Sequence, residues 1–181
     1  EVSITGPFWF DNSGDATCTF GLEIPATYTG RGLSQEGGPP SHGPSSGTYN
    51  VTQVEDRAYD FSRAGEGLCT LVAVTGGTNI EEIGEHAFSS GALGSSGALE
   101  DAIFSSGRLV AVGDFAFYNN PRLTRVELGS GLQTIGKDAF GNAKSLSSIN
   151  LPDSVTAIGE EAFWGSGLTS IVIPSGITKI E

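Results

Sequence analysis

Apolar residues recur along this chain in a fixed frame. The frame is clearest from Ile135, where IGKDAFGNAKSLSSINLPDSVTA runs to Ala157. Ile135, Ala139 and Phe140 come at offsets that share one face of a short helix. Leu146 leads into Ile149 and Leu151, which alternate around Asn150 as a strand does. Pro152 lacks the N–H that a ladder needs and ends the strand, and Val155 closes the unit. Leu123, Val126, Leu128 and Leu132 hold the same places after Val112, and Leu168, Ile171, Ile173 and Ile177 hold them after Ile158. Asp114, Asp138, Glu160 and Glu161 fall at the expected helix start, where unpaired N–H groups favour carboxylates.

The starts at Val112, Ile135, Ile158 and Ile180 are separated by 23, 23 and 22 residues. A fixed period of this size marks a solenoid, in which each unit packs on its neighbours. One unit buries too little apolar surface to offset the ordering of its own backbone, so the copies must stack. The expected fold is an α/β repeat solenoid: strands pair into a parallel sheet on one face and short helices line the other. Upstream, the frame resumes at Val54 with Ala58 and Tyr59, followed by Leu71, Val74 and Ile80. It returns at Ile83, followed by Leu99, Ile103 and Leu109. These two units are 29 residues long, so each carries a loop, which in the second spans 89–97.

Three regions follow. Residues 1–50 form a β-rich N-terminal cap with a Gly/Pro/Ser-rich insertion at 31–48, residues 51–111 hold two expanded, degenerate repeats, and residues 112–181 hold regular ones. In the cap, Phe8, Trp9 and Phe10 join Val2 and Ile4 in an apolar cluster suited to covering a solenoid end. Leu22, Ile24 and Pro25 already repeat the strand-and-stop signal, with Tyr28 where Val155 falls later. At Ile180 a further unit begins and is cut off. The expectation there is a longer parent chain or a second subunit over that end.

The pattern IGxxAF followed by LxxIxIPxxV resembles the BspA-like, bacterial-surface-protein type of leucine-rich repeat. The three copies from Val112 onward carry the resemblance at nearly every apolar position. It implies a secreted or surface-attached protein of a bacterium or protist, of a kind implicated in adhesion, and it names no ligand. In such an exported setting Cys18 and Cys69 would form a disulfide tying the N-terminal segment to the first repeat; the alternative is two buried thiols. Absence of methionine and a start at Glu1 fit a chain whose export signal has been removed. Asn50, Val51 and Thr52 form an N-glycosylation sequon at Asn50, meaningful only in a host that glycosylates such sites.

Charge narrows the partners. Nine Lys and Arg against 21 Asp and Glu leave a net charge of −12. Phosphate backbones and anionic membrane surfaces want a basic face, so neither is an expected partner. No apolar run approaches the ~18–20 residues of a membrane span, so no membrane insertion is expected.

Catalytic constellations are not apparent. GLQTIGKD, residues 131–138, approaches a phosphate-binding loop, but Asp138 replaces the hydroxyl and the repeat accounts for both glycines. The DNSGD stretch at 11–15 lacks the later glycine and closing Glu of a calcium loop. His42 and His86 read as solvated, leaving no base for a nucleophile. The expectation is a non-enzymatic protein with no cofactor and no metal.

Binding would then fall to surface rows. The outward strand positions read Glu23, Thr75, Phe104, Glu127, Asn150 and Val172, beside Gly21, Ala73, Ala102, Arg125, Ser148 and Ser170. Tyr118 and Trp164 share the place just after AF, two repeats apart, and either anchor an interface or pack on neighbouring loops. The partner-facing set is therefore Phe104, Arg125, Glu127, Asn150, Val172, Tyr118 and Trp164. Two functions remain open. One is adhesion or recognition of an extracellular protein or glycan at the cell surface. The other is a structural subunit that stacks end to end with copies of itself into a filament or surface layer.

Overall fold

A computed structural model describes residues 19–24, 27–31, 46–50, 53–54, 70–90 and 97–177. The stacked coils carry two parallel sheets. The wide sheet has strand order β1-β5-β7-β9, formed by β1 (Thr19–Glu23), β5 (Thr70–Thr75), β7 (Asp101–Phe104) and β9 (Arg125–Leu128). The narrow sheet is built of two-residue strands: β4 (Gln53–Val54), β6 (Glu82–Ile83), β8 (Ala111–Val112), β10 (Thr134–Ile135) and β11 (Ala157–Ile158), in chain order along the stack. A separate antiparallel ribbon joins β2 (Thr27–Arg31) to β3 (Ser46–Asn50).

The narrow sheet confirms the repeat frame residue by residue. Val54 pairs with Ile83, Ile83 with Val112, Val112 with Ile135, and Ile135 with Ile158. Val54, Ile83 and Val112, spaced 29 residues apart, are therefore equivalent positions in successive coils. Four rings form one column through the core: Phe88, Phe117, Phe140 and Phe163 stack at centroid separations of 5.4, 5.3 and 5.5 Å. Leu109, Leu123, Leu132, Leu146 and Val155 are fully buried beside it. Burial of one apolar position per coil, repeated along the stack, is what makes the coils a single hydrophobic core.

The expected short helices are not there: the described residues contain no helix. After each narrow strand the chain makes consecutive turns instead. The fourth residue of each IGxxAF segment has positive φ: 55° at His86, 55° at Phe115, 49° at Asp138 and 55° at Glu161. A left-handed residue at that point stops helix propagation. The amides that a helix would spend internally go to the next coil. His86, Phe88 and Ser90 donate to Asp114, Ala116 and Tyr118 carbonyls at 2.9, 2.8 and 2.9 Å. Asp138, Phe140 and Asn142 donate to Glu160, Ala162 and Trp164 carbonyls at 3.0, 2.8 and 2.7 Å. The carboxylates accordingly do not cap helices. Asp114 accepts the Lys137 amide of the following coil through Oδ1 at 2.7 Å.

The N-terminal cap is not supported as a separate layer. β1 is the first strand of the wide sheet, with Leu22 opposite Val74, so the solenoid frame starts there. Tyr28 sits across from Tyr49 in the ribbon rather than closing a coil. Residues 1–18, with Phe8, Trp9 and Phe10, lie outside the described residues, as do 32–45 of the insertion.

Candidate functional site

The outward row of the wide sheet runs Glu23, Thr75, Ile103 and Glu127, each the register partner of the next. Beside it run Gly21, Ala73, Asp101 and Arg125. Sequence reasoning placed Phe104 and Ala102 in these rows, and the structure corrects both by one residue. Ala102 pairs with Val126 and Phe104 with Leu128, which turns them inward. Phe104 is only 1% exposed, with its ring 6.0 Å from Phe88 and 6.1 Å from Phe117. It offers nothing to a partner. Gly76 explains the fit: a Cβ there would stand 2.3 Å from the Phe104 ring, so the ring occupies the room the glycine leaves. Ile103 and Asp101 take the outward places. Pairing the largest side chain of the strand with the interior would have found this frame.

Glu127 and Arg125 do come together. Both the Nε and Nη2 of Arg125 donate to Glu127 Oε1, the former at 2.9 Å. Ser105, a residue the outward-row pattern did not single out, donates to the other carboxylate oxygen at 3.0 Å from the neighbouring coil. The Arg125 hydrogen bond, then that from Ser105, holds the Glu127 carboxyl below its ordinary value. Both carboxylate oxygens of Glu127 thus have a hydrogen-bond donor at the sheet surface.

Asn150 and Val172 continue the row by repeat position, and both are exposed, Val172 at 83%. Here the sheet itself does not continue. The wide ladder ends at β9, and among the described residues no backbone hydrogen bond joins 147–151 to β9. The narrow sheet runs on to β11. Asn150 and Val172 are therefore presented by chain outside the ladder, where the alternation of Ile149 and Leu151 reads as a strand in sequence.

Tyr118 and Trp164 lie on the turn side of the coils, next to the narrow sheet. Tyr118 lies over Gly141, the residue at its own register position in the next coil: a Cβ on Gly141 would meet the tyrosine ring at 2.9 Å. Its hydroxyl accepts from Asn142 Nδ2 at 3.2 Å. Phe115 packs edge-on to Tyr118 and stacks on His86, ring centroids 5.6 and 4.8 Å apart. His86 is therefore half-buried against an aromatic ring, not simply solvated. Trp164 stands out from the last described coil, 57% exposed. Lys137 bridges to Glu160 at 2.6 Å, and that carboxylate raises the lysine pKa.

No group of three or more His, Cys, Asp or Glu that could hold a metal occurs among the described residues. Cys18 and Cys69 lie outside them; Asn50 ends β3, and Thr52 of its sequon is outside. No described helix is long and apolar enough to cross a membrane.

The same coil geometry occurs in bacterial proteins. A leucine-rich repeat protein of T. pallidum superposes with a TM-score of 0.62 at 23% identity, over 93% of this chain and 70% of that one. A leucine-rich cell surface protein of Faecalibacterium prausnitzii gives 0.51 at 25% identity, covering 96% of this chain and 48% of that one. The pneumococcal vaccine antigen PcpA gives 0.52 at 17% identity, covering 93% and 48%. The chain thus spans about half the length of the last two. No curated protein matches. The BspA type leucine-rich repeat region matches residues 66–181 in six copies, and with it the fold, the IGxxAF turns and the stacked register agree: the chain belongs to the BspA type leucine-rich repeat family.

Proposed function

We propose that the chain is a non-enzymatic recognition module of the bacterial cell surface, binding an extracellular protein or glycan through the outward side of its wide sheet. The observation that carries this reading is the Ser105, Glu127 and Arg125 network. A charged pair pinned by a third side chain on an exposed sheet keeps its geometry before a partner arrives, which lowers the ordering cost of binding. Asn150 and Val172 extend the same row with a polar and an apolar group. Support for the setting comes from the family and from structural relatives described as a cell surface protein and a vaccine antigen.

The test is a binding screen of the purified chain against extracellular matrix proteins and arrayed glycans, repeated with Glu127→Lys, Asn150→Lys and Val172→Lys combined. Loss of about tenfold or more in affinity is expected, since several central contacts are removed together. Unchanged binding by a folded triple variant sinks the sheet-face reading.

Export has its own consequence. The pairing of β1 with β5 begins at Thr19 opposite Thr70, one residue after each cysteine in sequence. In an oxidising compartment Cys18 and Cys69 would be joined. Thiol alkylation followed by intact mass should then add label only after reduction; labelling of unreduced, secreted material would overturn it.

A further inference from the structure

We infer that the corner where the chain enters the wide sheet, around Arg122 and Lys144, is a binding site for an anionic polysaccharide. The corner borders the outward row but uses none of Glu127, Asn150 and Val172, so it does not depend on that row.

The geometry begins with the turn that leads into each wide strand. Pro121 and Arg122 precede the buried Leu123, and Lys144 and Ser145 precede the buried Leu146 at the same register place one coil later. The Ser145 amide donates to the Pro121 carbonyl at 3.1 Å, which ties the two turns together. Arg122 and Lys144 are both exposed, although the coils on either side of them are described. The coil before holds Gly97 and Ala98 at this corner, and the coil after holds Gly167. A Cβ on Gly167 would stand 2.3 Å from the Lys144 carbonyl oxygen, so the next coil lies close by and has no side chain there to cover the lysine.

The charges decide the ligand. In a chain of net charge −12, no Asp or Glu occurs from Ala139 to Leu151, and no charged residue from Ala162 to Ile177. Glu100 and Asp101 lie on the other side, in the preceding coil, where Asp101 is the register partner of Arg125. Arg108, Arg125 and Lys137 are each engaged by a glutamate: Glu81, Glu127 and Glu160. Arg122 and Lys144 make no ion pair among the described residues. The Ser147 and Ser148 amides have no backbone acceptor among them either, whereas their equivalents at Thr124 and Arg125 donate to the Glu100 carbonyl at 2.9 and 3.1 Å. Strands of a parallel sheet lie about 5 Å apart, so cations on adjacent coils can hold one anionic group or two on a single chain. Open amides and the exposed hydroxyls of Thr124, Ser145, Ser147 and Ser148 add donors for the same oxygens. The large exposed hydrophobics among the described residues are Val110, Trp164, Val172 and Ile173, and none belongs to 121–125 or 144–148. A protein partner wants such an anchor, whereas a polysaccharide of hydroxyls and acidic groups does not.

The experiment titrates dextran sulfate, carboxymethyl dextran and unmodified dextran into the chain and into two folded double variants, with poly-glutamate as an acidic peptide probe. At least one of the two anionic dextrans should bind, plain dextran should not, and added salt should weaken the binding. Arg122→Gln with Lys144→Gln should lower affinity about tenfold or more, through loss of charge-assisted contacts. Arg108→Gln with Lys137→Gln removes the same charge where glutamates already engage it, and should lower affinity about twofold at most. Equal losses in the two double variants would reduce the interaction to net charge and overturn the proposal. So would failure of both anionic dextrans to bind. Poly-glutamate binding as tight, and as dependent on Arg122 and Lys144, would make the partner an acidic peptide and overturn it too.

Discussion

Gly136 lies so close to the coil before it that a Cβ on the glycine would stand 2.5 Å from the backbone nitrogen of Asp114. Gly113 and Gly159 repeat the approach, at 2.8 Å from Gly84 and 2.6 Å from the Lys137 amide. None of the three has positive φ, so the requirement is spacing between coils, not turn geometry. Real side chains essentially never come that near to backbone, and backbone cannot swing aside. Gly136→Ala should therefore destabilise the chain by about 1–3 kcal/mol, the usual cost of forcing atoms into a packed interior. Gly107→Ala meets only the Ser130 hydroxyl at 3.4 Å and should stay within about 0.5 kcal/mol of the parent. Urea denaturation of the two variants checks the contrast.

How far the sequence could be read is set by what repeats. Val54, Ile83, Val112, Ile135 and Ile158 form one register line; each is the inward member of a two-residue strand, buried in the first four and partly buried at Ile158, and an apolar place repeated in every coil leaves a periodic mark. The turns leave no such mark. Ile135, Ala139 and Phe140 face the core whether the link between them is helical or a run of turns, so apolar spacing does not separate the two. The deciding position differs from coil to coil: His86, Phe115, Asp138 and Glu161 share its positive φ, but an imidazole, a phenyl ring and two carboxylates leave no common mark in the sequence. The site was half legible for a related reason. Arg125 and Glu127 fell in the regular repeats and came together, whereas Phe104 fell in a 29-residue unit, whose longer spacing hid a one-residue change of frame.

The Glu127 network has a pH signature. Its carboxyl is held below the ordinary 4.5 by Arg125 first and Ser105 second. A group depressed in the folded state adds stability that is present above its unfolded value and is lost as pH falls through the folded value. The change therefore lies below 4.5, and neutral pH leaves the network intact. A carboxyl-detected NMR titration should show the Glu127 midpoint moving up toward 4.5 in Arg125→Ala and, by a smaller step, in Ser105→Ala. A midpoint unmoved by either change would mean that the hydrogen bonds do not persist in solution.

The unequal length of the two ladders predicts a gradient in exchange. Residues 125–128 are paired to β7 on one side, whereas 147–151 make no backbone hydrogen bond to β9 among the described residues. Amides without a structural acceptor exchange by small local opening, and those in a ladder need the coils to part. Hydrogen–deuterium exchange should label Ser148 and Asn150 well before Arg125 and Glu127, the equivalent residues whose amides point at β7. Equal protection would place a ladder where the structure has none.

Glu161 gives the sharpest separation of turn from helix. It is exposed, it has φ 55°, and it falls where the amphipathic spacing predicts the first turn of a helix. Were that segment helical, glycine would cost about 0.5–1 kcal/mol through lost chain entropy. In a left-handed conformation the sign reverses. The side chain there carries a steric penalty of about 1–2 kcal/mol, which glycine removes, and the entropy loss offsets part of that gain. Glu161→Gly should thus leave stability unchanged or raise it by up to about 1 kcal/mol. The same change at Glu160, a neighbour without positive φ, should lower it, because the glycine gains nothing there and the ion pair to Lys137 is lost. Thermal unfolding of the two variants side by side gives the answer. A fall at Glu161 matching the fall at Glu160 would show that the left-handed turn does not hold in solution.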